Sequence, residues 1–220
     1  MSDGHAKRPQ TRGEELANAL SHGTGLLASI ALLPLLVVLA LRRHDPLAVL
    51  GSAVFGVSLA LLYATSTFYH AAPHGTDAKR RWRVLDHSAI YVLIAGTYTP
   101  FALGAMRGPL GFTLLALMWT SAVVGVLLKR SGGFGYPRLS TVMYVLMGWT
   151  AIFFVKPMVA AIGPHGMAWI LAGGVAYTGG VLFYALDRYK YRHFVWHLCV
   201  MAGSGCHVWA VAVYAAGVGH

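Results

Sequence analysis

The chain has 220 residues, of which 57% are hydrophobic and only 11% are charged, and its formal net charge is +10. A soluble domain carries about a quarter charged residues, so this composition excludes a soluble globular protein and indicates a membrane protein with several spans. The basic residues lie in short groups between apolar runs, which is typical of groups that orient membrane helices and argues against nucleic-acid binding. Since no polar stretch is long enough for a second domain, residues 1–220 are expected to form a single transmembrane domain with a short polar tail at 1–13.

Seven stretches are long and apolar enough to cross a bilayer, which takes about 20 residues. In chain order they cover residues 22–41, 47–70, 86–106, 109–128, 138–155, 165–187 and 193–216. The first helix is expected to begin earlier, near Glu14, and the polar start of the chain argues against a cleavable signal peptide. Short connections make consecutive helices antiparallel neighbours. The sequence therefore predicts an all-α, polytopic bundle of seven transmembrane helices.

The basic residues also predict how the bundle is oriented. Thirteen of the 17 fall in the N-terminal tail and in the alternate connections that share its side of the membrane. The other side receives only four, namely Arg42, Arg43, Arg107 and Lys156. By the positive-inside rule, the N-terminus is expected in the cytoplasm and the C-terminus outside.

Two histidines, His193 and His197, are four residues apart at the start of the last span. On a helix this spacing places both imidazoles on one face, and such a pair is a common set of metal ligands, most often for zinc. His70 ends the second span on the same expected side of the membrane and would supply a third nitrogen. Three protein ligands leave a position for water, as in catalytic zinc sites, although each histidine taken alone also suits a packing residue.

Asp86 and Ser66 are the candidate catalytic residues beside this group. Asp86 begins the third span, where its carboxylate would take a proton from the water, although aspartate there also suits a plain helix N-cap. Ser66 lies one turn before His70 on the same helix face and would orient the water or a developing oxyanion. Helix packing is the simpler role for a small hydroxyl side chain. His87, next to Asp86, is expected to point to another face.

Other polar residues of the spans have more than one interpretation. Glu15, Asn18 and His22 share one face of the first helix, where they would either line the cavity entrance or connect this helix to its neighbours. His207 lies ten residues beyond His197, about 15 Å along the helix, so a hydrogen bond inside the bundle is expected rather than a bond to the same metal. The two cysteines are too far apart on that helix for a disulfide.

Four stretches of the chain, taken together, carry a family resemblance. They are Glu-Leu-Ala-Asn-Ala-Leu-Ser-His at 15–22, Ser-Thr-Phe-Tyr-His at 66–70, Leu-Asp-His-Ser-Ala-Ile-Tyr at 85–91 with Ala-Gly-Thr-Tyr-Thr-Pro following, and His-Phe-Val-Trp-His at 193–197. The sequence resembles the hemolysin III family, in the progestin and adipoQ receptor superfamily that includes the adiponectin receptors. The resemblance implies a seven-helix bundle with zinc near the cytoplasmic face, bound by His70, His193 and His197. It also implies that Asp86 and Ser66 hold a water, and it suggests a bacterial plasma membrane protein.

Three functions are compatible with these features. The leading hypothesis is a zinc-dependent intramembrane hydrolase of a lipid amide or ester, because three histidines, an aspartate and a serine are expected at one depth inside lipid-facing walls. The resemblance adds that ceramidase-like hydrolysis is attributed to the receptor branch. The second is a non-catalytic lipid sensor in which zinc is structural. The third is the cytolytic pore suggested by the family name, but a pore needs polar groups along the full depth of several helices, and here they crowd at one end. Membrane lipids and a lipid substrate or ligand are the expected partners, and the oligomeric state is left open.

Overall fold

The computed structural model describes residues 8–131 and 137–216, and every regular element in those ranges is helical. The α-helices are α1 Arg12–Leu41, α2 Pro46–Ala71, α3 Asp77–Pro100, α4 Pro109–Arg130, α5 Pro137–Trp149, α6 Val155–Ala185 and α7 Arg192–Ala210. Short π-helical turns at Phe101–Ala105 and Val211–Ala215 extend α3 and α7, and a 3-10 turn at Thr150–Phe154 joins α5 to α6. The predicted all-α class is confirmed.

Within the described residues, six helical stretches are long and apolar enough to cross a membrane, so the chain is an integral membrane protein. One of them runs through α5 and α6 and covers 47 residues, Leu139–Ala185. At about 1.5 Å per residue it would measure about 70 Å, more than twice the hydrocarbon core of a bilayer. It is interrupted at Gly163, whose φ of 70° and ψ of 170° are not helical. This break agrees with separate spans before and after it, but the count of seven and the orientation stay predictions.

The first turn of α1 is tied to the start of α7. Thr11 and Glu14 form a capping box, in which the threonine hydroxyl accepts from the Glu14 N–H and the carboxylate accepts from the Thr11 N–H. The Glu14 carboxylate also pairs with the Arg8 guanidinium at 2.6 Å and accepts from the Tyr191 N–H at 2.9 Å. The first and last helices are therefore joined at the end of the bundle where the chain begins.

Helix α3 begins nine residues before its predicted apolar span. Thr76 is the N-cap, and its hydroxyl accepts from the backbone N–H of Lys79. The charged residues that follow continue the helix beyond the apolar part. Asp86 consequently lies in the third turn of α3, and its interpretation as a plain N-cap is wrong.

The bundle has an apolar exterior and a partly polar interior, as expected where lipid replaces water around a protein. Phe153 is 86% exposed and Leu27 is 69% exposed. Buried hydroxyls donate to backbone carbonyls about one turn earlier in their own helices, as Ser58 does to Phe55 and Thr99 to Ala95. These local hydrogen bonds satisfy polar groups that have no water to contact.

Glycines allow α2 and α3 to pack closely. A methyl group on Gly51 would lie 2.7 Å from the Cα of Pro100, and one on Gly96 would lie 2.2 Å from the Ser58 hydroxyl. Only a residue without a side chain fits these positions, as is common between membrane helices. Helix α1 packs against α2 and α7, and α6 packs against α7. This arrangement brings the start of α1, the end of α2 and the start of α7 together.

Candidate metal centre

Three histidines from two helices meet at the end of the bundle where α1 begins. His70 is in the last turn of α2, and His193 and His197 are in the first two turns of α7. One ring nitrogen of each lies within 4.8 Å of the others, a spacing that could hold a metal ion. The ring centroids are 4.9 to 5.2 Å apart. The structure thus brings together the three residues that the sequence predicts as ligands.

Each of these histidines has an oxygen near its Nδ1 atom. The Nδ1 of His70 lies 2.7 Å from a carboxylate oxygen of Glu15, and that of His197 lies 3.2 Å from the Ser21 hydroxyl. The Nδ1 of His193 is 3.6 Å from the carboxylate of Asp187. Metal-binding histidines characteristically direct one nitrogen to such a group and the other to the metal. This pattern leaves Nε2 as the candidate ligand atom of His70 and His197, whereas Nδ1 of His193 makes no hydrogen bond with the described residues.

The surroundings of these nitrogens fit a cation. The Nε2 atom of His70 is buried and has no hydrogen-bond partner among the described residues. A buried nitrogen without a partner costs free energy, which a metal at the meeting point of the three rings would recover. Zinc, copper, iron and nickel all accept imidazole. The donor set therefore fits a nitrogen-ligated transition metal.

Glu15 connects the candidate ligand His70 to two further cationic or polar side chains. One carboxylate oxygen accepts from Nδ1 of His70, and the other lies 2.7 Å from the Lys79 ammonium and 3.3 Å from Nε2 of His74. Glu15 is 9% exposed. The carboxylate therefore holds the ring of His70 in one orientation and links α1, α2 and α3 next to the ligands.

We expect Glu15→Gln to weaken metal binding by about tenfold or more, because the amide orients His70 less strongly and makes it a weaker electron donor. Affinity for zinc would be measured by competition with a chelator of known strength. Asp45→Asn is the matched control, because Asp45 pairs with Arg107 at the opposite end of α2. Equal affinities in Glu15→Gln and wild type would show that this carboxylate does not support the site.

Ser66 and Asp86 both line the cavity that reaches His193 and His197. A carboxylate oxygen of Asp86 lies 3.4 Å from Nδ1 of His87, and His87 lines the same cavity. His87 thus lines the cavity as well, although it was expected to point to another face than Asp86. The structure places both candidate catalytic residues near the histidines, and their catalytic roles stay predictions.

Of the three polar residues predicted on one face of α1, His22 alone is among those that line this cavity. Its Nδ1 lies 2.7 Å from the Ser66 hydroxyl, and its ring stacks on that of His197 at 3.5 Å with an interplanar angle of 7°. Asn18 is fully buried and donates to the Gln10 side chain at 2.6 Å. Glu15 thus connects α1 to α2 and α3, and Asn18 binds the segment directly before α1. His22 faces the cavity.

The cavity has a volume of about 150 Å³ and runs into the bundle from the histidines. Most of its wall is apolar, with polar side chains at one end and a second polar group further in. Apolar walls include Leu93, Ile94, Val145, Ile170 and Val200. A largely apolar pocket with a few convergent polar groups is typical of a small-molecule site.

Three further side chains at this centre are not among the residues predicted from the sequence, namely Ser21, Lys79 and Asp187. Ser21 directly precedes His22, and Asp187 is an acidic residue six positions before His193. Lys79 belongs to a basic group whose presence is already accounted for by the positive-inside rule. The closeness of a carboxylate to a histidine pair was the available signal for Asp187.

The sequence is similar to proteins of one family along most of its length. A family model described as Haemolysin-III related matches residues 10–208. Hemolysin-3 of Bacillus cereus is 40% identical over 214 residues, which cover 97% of this chain and 97% of the relative. The Hemolysin-3 homolog of Bacillus subtilis (strain 168) is 41% identical over 201 residues, which cover 91% and 94% respectively.

The similarity extends further at lower identity. The monocyte to macrophage differentiation factor of Homo sapiens is 25% identical over 166 residues, which cover 73% of this chain and 68% of the human protein. No solved structure matches the chain.

Proposed function

The chain belongs to the haemolysin-III-related family, and we propose that it is a zinc-dependent intramembrane hydrolase of a lipid amide or ester. One observation carries the proposal. Three histidines have ligand atoms within 4.8 Å of one another. Two of them, His193 and His197, line an apolar cavity that Asp86 and Ser66 also line. A nitrogen-ligated metal, a carboxylate and a hydroxyl on one cavity wall are the groups that hydrolysis of a carbonyl compound requires.

The side chains around the centre have separate roles in this proposal. Zinc, when held by His70, His193 and His197, would act as a Lewis acid and lower the pKa of water. Asp86 would accept the proton that the attacking water loses and later return it to the leaving group. Ser66 would donate a hydrogen bond to the carbonyl oxygen as negative charge develops there.

His22 would position Ser66 rather than bind the metal. Its Nδ1 lies 2.7 Å from the serine hydroxyl, and its ring is held between His197, on which it stacks, and Tyr63, which it meets edge to face at 5.0 Å. A ring packed in this way keeps the hydroxyl in one place. Pre-positioned hydrogen-bond groups lower the free energy of a transition state because they need no rearrangement during the reaction.

The cavity favours a lipid as substrate. Its wall is mostly apolar beyond the polar end, so an acyl chain would be bound there and water would be displaced from it. The exterior of the bundle is apolar as well, and a substrate would arrive from the surrounding membrane, which we propose to be a bacterial plasma membrane. A cleavable carbonyl would then lie next to the histidines.

The alternatives use fewer of these features. A lipid sensor with structural zinc would need the three histidines but has no evident use for Asp86 and Ser66 beside them. The relatives named Hemolysin-3 raise the third candidate, a lytic pore. Pores need polar groups through the whole depth of the membrane. Among the described residues of the cavity, the ionisable groups concentrate at one end, with His207 as the exception.

The proposal is tested by hydrolysis in a defined membrane. Zinc-loaded protein in lipid nanodiscs would be incubated with a panel of lipid amides and esters, and released fatty acid would be measured by mass spectrometry. We expect release by the wild type and none above background by His193→Ala. A folded wild type that carries zinc and cleaves no member of the panel would contradict a hydrolase and favour the sensor.

A further inference from the structure

A second polar group lies deeper in the same cavity. It consists of Tyr177, Ser204 and His207, here called the distal polar site. The tyrosine hydroxyl lies 2.8 Å from that of Ser204, and the rings of Tyr177 and His207 are 5.4 Å apart. Tyr177 and His207 line the cavity together with His193 and His197. His207 is ten residues beyond His197 on α7, about 15 Å along the helix.

The hydrogen bonds of His207 determine what it can offer to a ligand. Its Nε2 lies 3.1 Å from the backbone carbonyl oxygen of Ile170, and a carbonyl oxygen only accepts, so Nε2 carries the hydrogen. In the neutral ring Nδ1 is then an acceptor. This atom is buried without a partner among the described residues, and the side chain is nine-tenths buried. An unpaired buried acceptor is costly, so the site is complementary to a hydrogen-bond donor.

Glycines make room for both rings of the distal polar site. A methyl group on Gly173 would lie 2.3 Å from Nε2 of His207, and one on Gly203 would lie 2.7 Å from the ring of Tyr177. Any larger residue at either position would displace the ring it faces. An apolar residue at position 207 would avoid the free-energy cost of burying a polar group. A buried histidine whose ring is accommodated by a glycine therefore indicates a specific use.

We infer that the distal polar site binds a hydroxyl group in the far half of the substrate's acyl chain. The inference rests on the proposed function, because it assumes that the carbonyl group lies at the three histidines. The separation of about 15 Å is half the thickness of the hydrocarbon core, which is roughly 30 Å. One acyl chain occupies about this half. A hydroxyl at that depth would donate to Nδ1 of His207, next to the hydroxyls of Tyr177 and Ser204. The substrate class is thus a lipid with a hydroxylated acyl chain.

Fatty acids that differ by one hydroxyl provide the test. Ricinoleic acid carries a hydroxyl in the far half of its chain, oleic acid has none, and alpha-hydroxyoleic acid carries it beside the carboxyl group. Affinities would be measured by displacement of a fluorescent fatty acid from the protein in nanodiscs. We expect ricinoleic acid to bind about tenfold more tightly than oleic acid, as for one added hydrogen bond to a buried acceptor, and alpha-hydroxyoleic acid to show no such gain.

Two variants locate the effect. His207→Phe keeps an aromatic ring but removes the acceptor, so the preference for ricinoleic acid over oleic acid should disappear. Gly173→Ala should reduce the preference by displacing the ring. His165→Phe, the same change at an exposed histidine, should leave it intact.

Three results would overturn the inference: equal wild-type affinities for ricinoleic and oleic acid, no binding of either, or a preference that persists in both His207→Phe and Gly173→Ala. Zinc content and fatty acid release, measured on the same samples, report on the proposed hydrolase independently. A hydrolase that cleaves plain acyl lipids and ignores the hydroxyl would therefore retain its proposed function and lose only the distal polar site.

Discussion

Replacing His70, His193 or His197 with alanine is expected to remove the bound metal from the protein. Purified wild type should contain about one zinc per chain, and each single variant should lose at least about 100-fold in affinity. The physical reason is that three ligands are the minimum for a stable open zinc site, and the remaining two imidazoles hold zinc only weakly. Metal content would be measured by mass spectrometry on detergent-purified protein. Ligand atoms within 4.8 Å of one another predict that all three variants behave alike.

Two further histidines serve as controls for this experiment. His207→Ala removes a buried histidine of the same helix, and His165→Ala removes an exposed one. Both variants should keep the metal. Circular dichroism would establish that each protein is folded. A folded His70→Ala protein that retains a full equivalent of zinc would show that the metal is held elsewhere, and a folded wild type without any metal would reduce the three histidines to packing residues.

Asp86→Asn is expected to abolish turnover while the protein keeps its zinc. The amide has nearly the shape of the carboxylate but cannot accept the proton of the attacking water. Loss of a general base typically costs about 100- to 10,000-fold in rate, and we expect a fall of this size in kcat. The assay is fatty acid release from whichever lipid of the panel the wild type cleaves, with metal content determined on the same sample.

Asp77→Asn is the matched control, since it makes the same chemical change in the first turn of α3. Asp77 pairs with Arg80 at the surface, so turnover should be unaffected. If Asp86→Asn kept the wild-type rate, this carboxylate would not be the base. A protein that binds zinc and lipid equally well with either residue, and turns nothing over, would instead be the sensor.

The three histidines were accessible to prediction because local spacing carries most of the information. Residues four apart on a helix share a face, which is enough to pair His193 with His197. His70 could be added because basic residues in the connections predict which helix ends share one side of the membrane. The structure brings these three together, whereas the catalytic roles of Asp86 and Ser66 stay predictions.

The contacts that Lys79 and His22 make at this centre could not be predicted in the same way. Lys79 reaches Glu15 because α3 begins at Asp77, and nothing in the apolar pattern indicates that the helix extends so far beyond its span. The stacking of His22 on His197 depends on how α1 and α7 pack, which spacing within either helix leaves undetermined. Such contacts between distant parts of the chain follow from tertiary packing.

The break at Gly163 is another feature that hydropathy alone does not predict. Hydropathy separates residues 138–155 from 165–187. Helical hydrogen bonding nevertheless continues across the break, which lies inside α6. One straight crossing cannot accommodate 47 residues, and this length agrees with two separate spans. The path of the chain between these segments depends on a single glycine with a positive φ, followed by a proline, and not on a long loop.

The candidate ligands come from α2 and α7, and the segment at the start of α1 pairs with the backbone at the start of α7. More than half of the chain lies between His70 and His193, so His193 is synthesised much later than His70. Capture of the proposed metal would therefore be among the last events of biogenesis, after the final helix has been inserted and has reached the first. Chains truncated before Arg192 should emerge metal-free, and in the proposed function bound metal would report that insertion is complete.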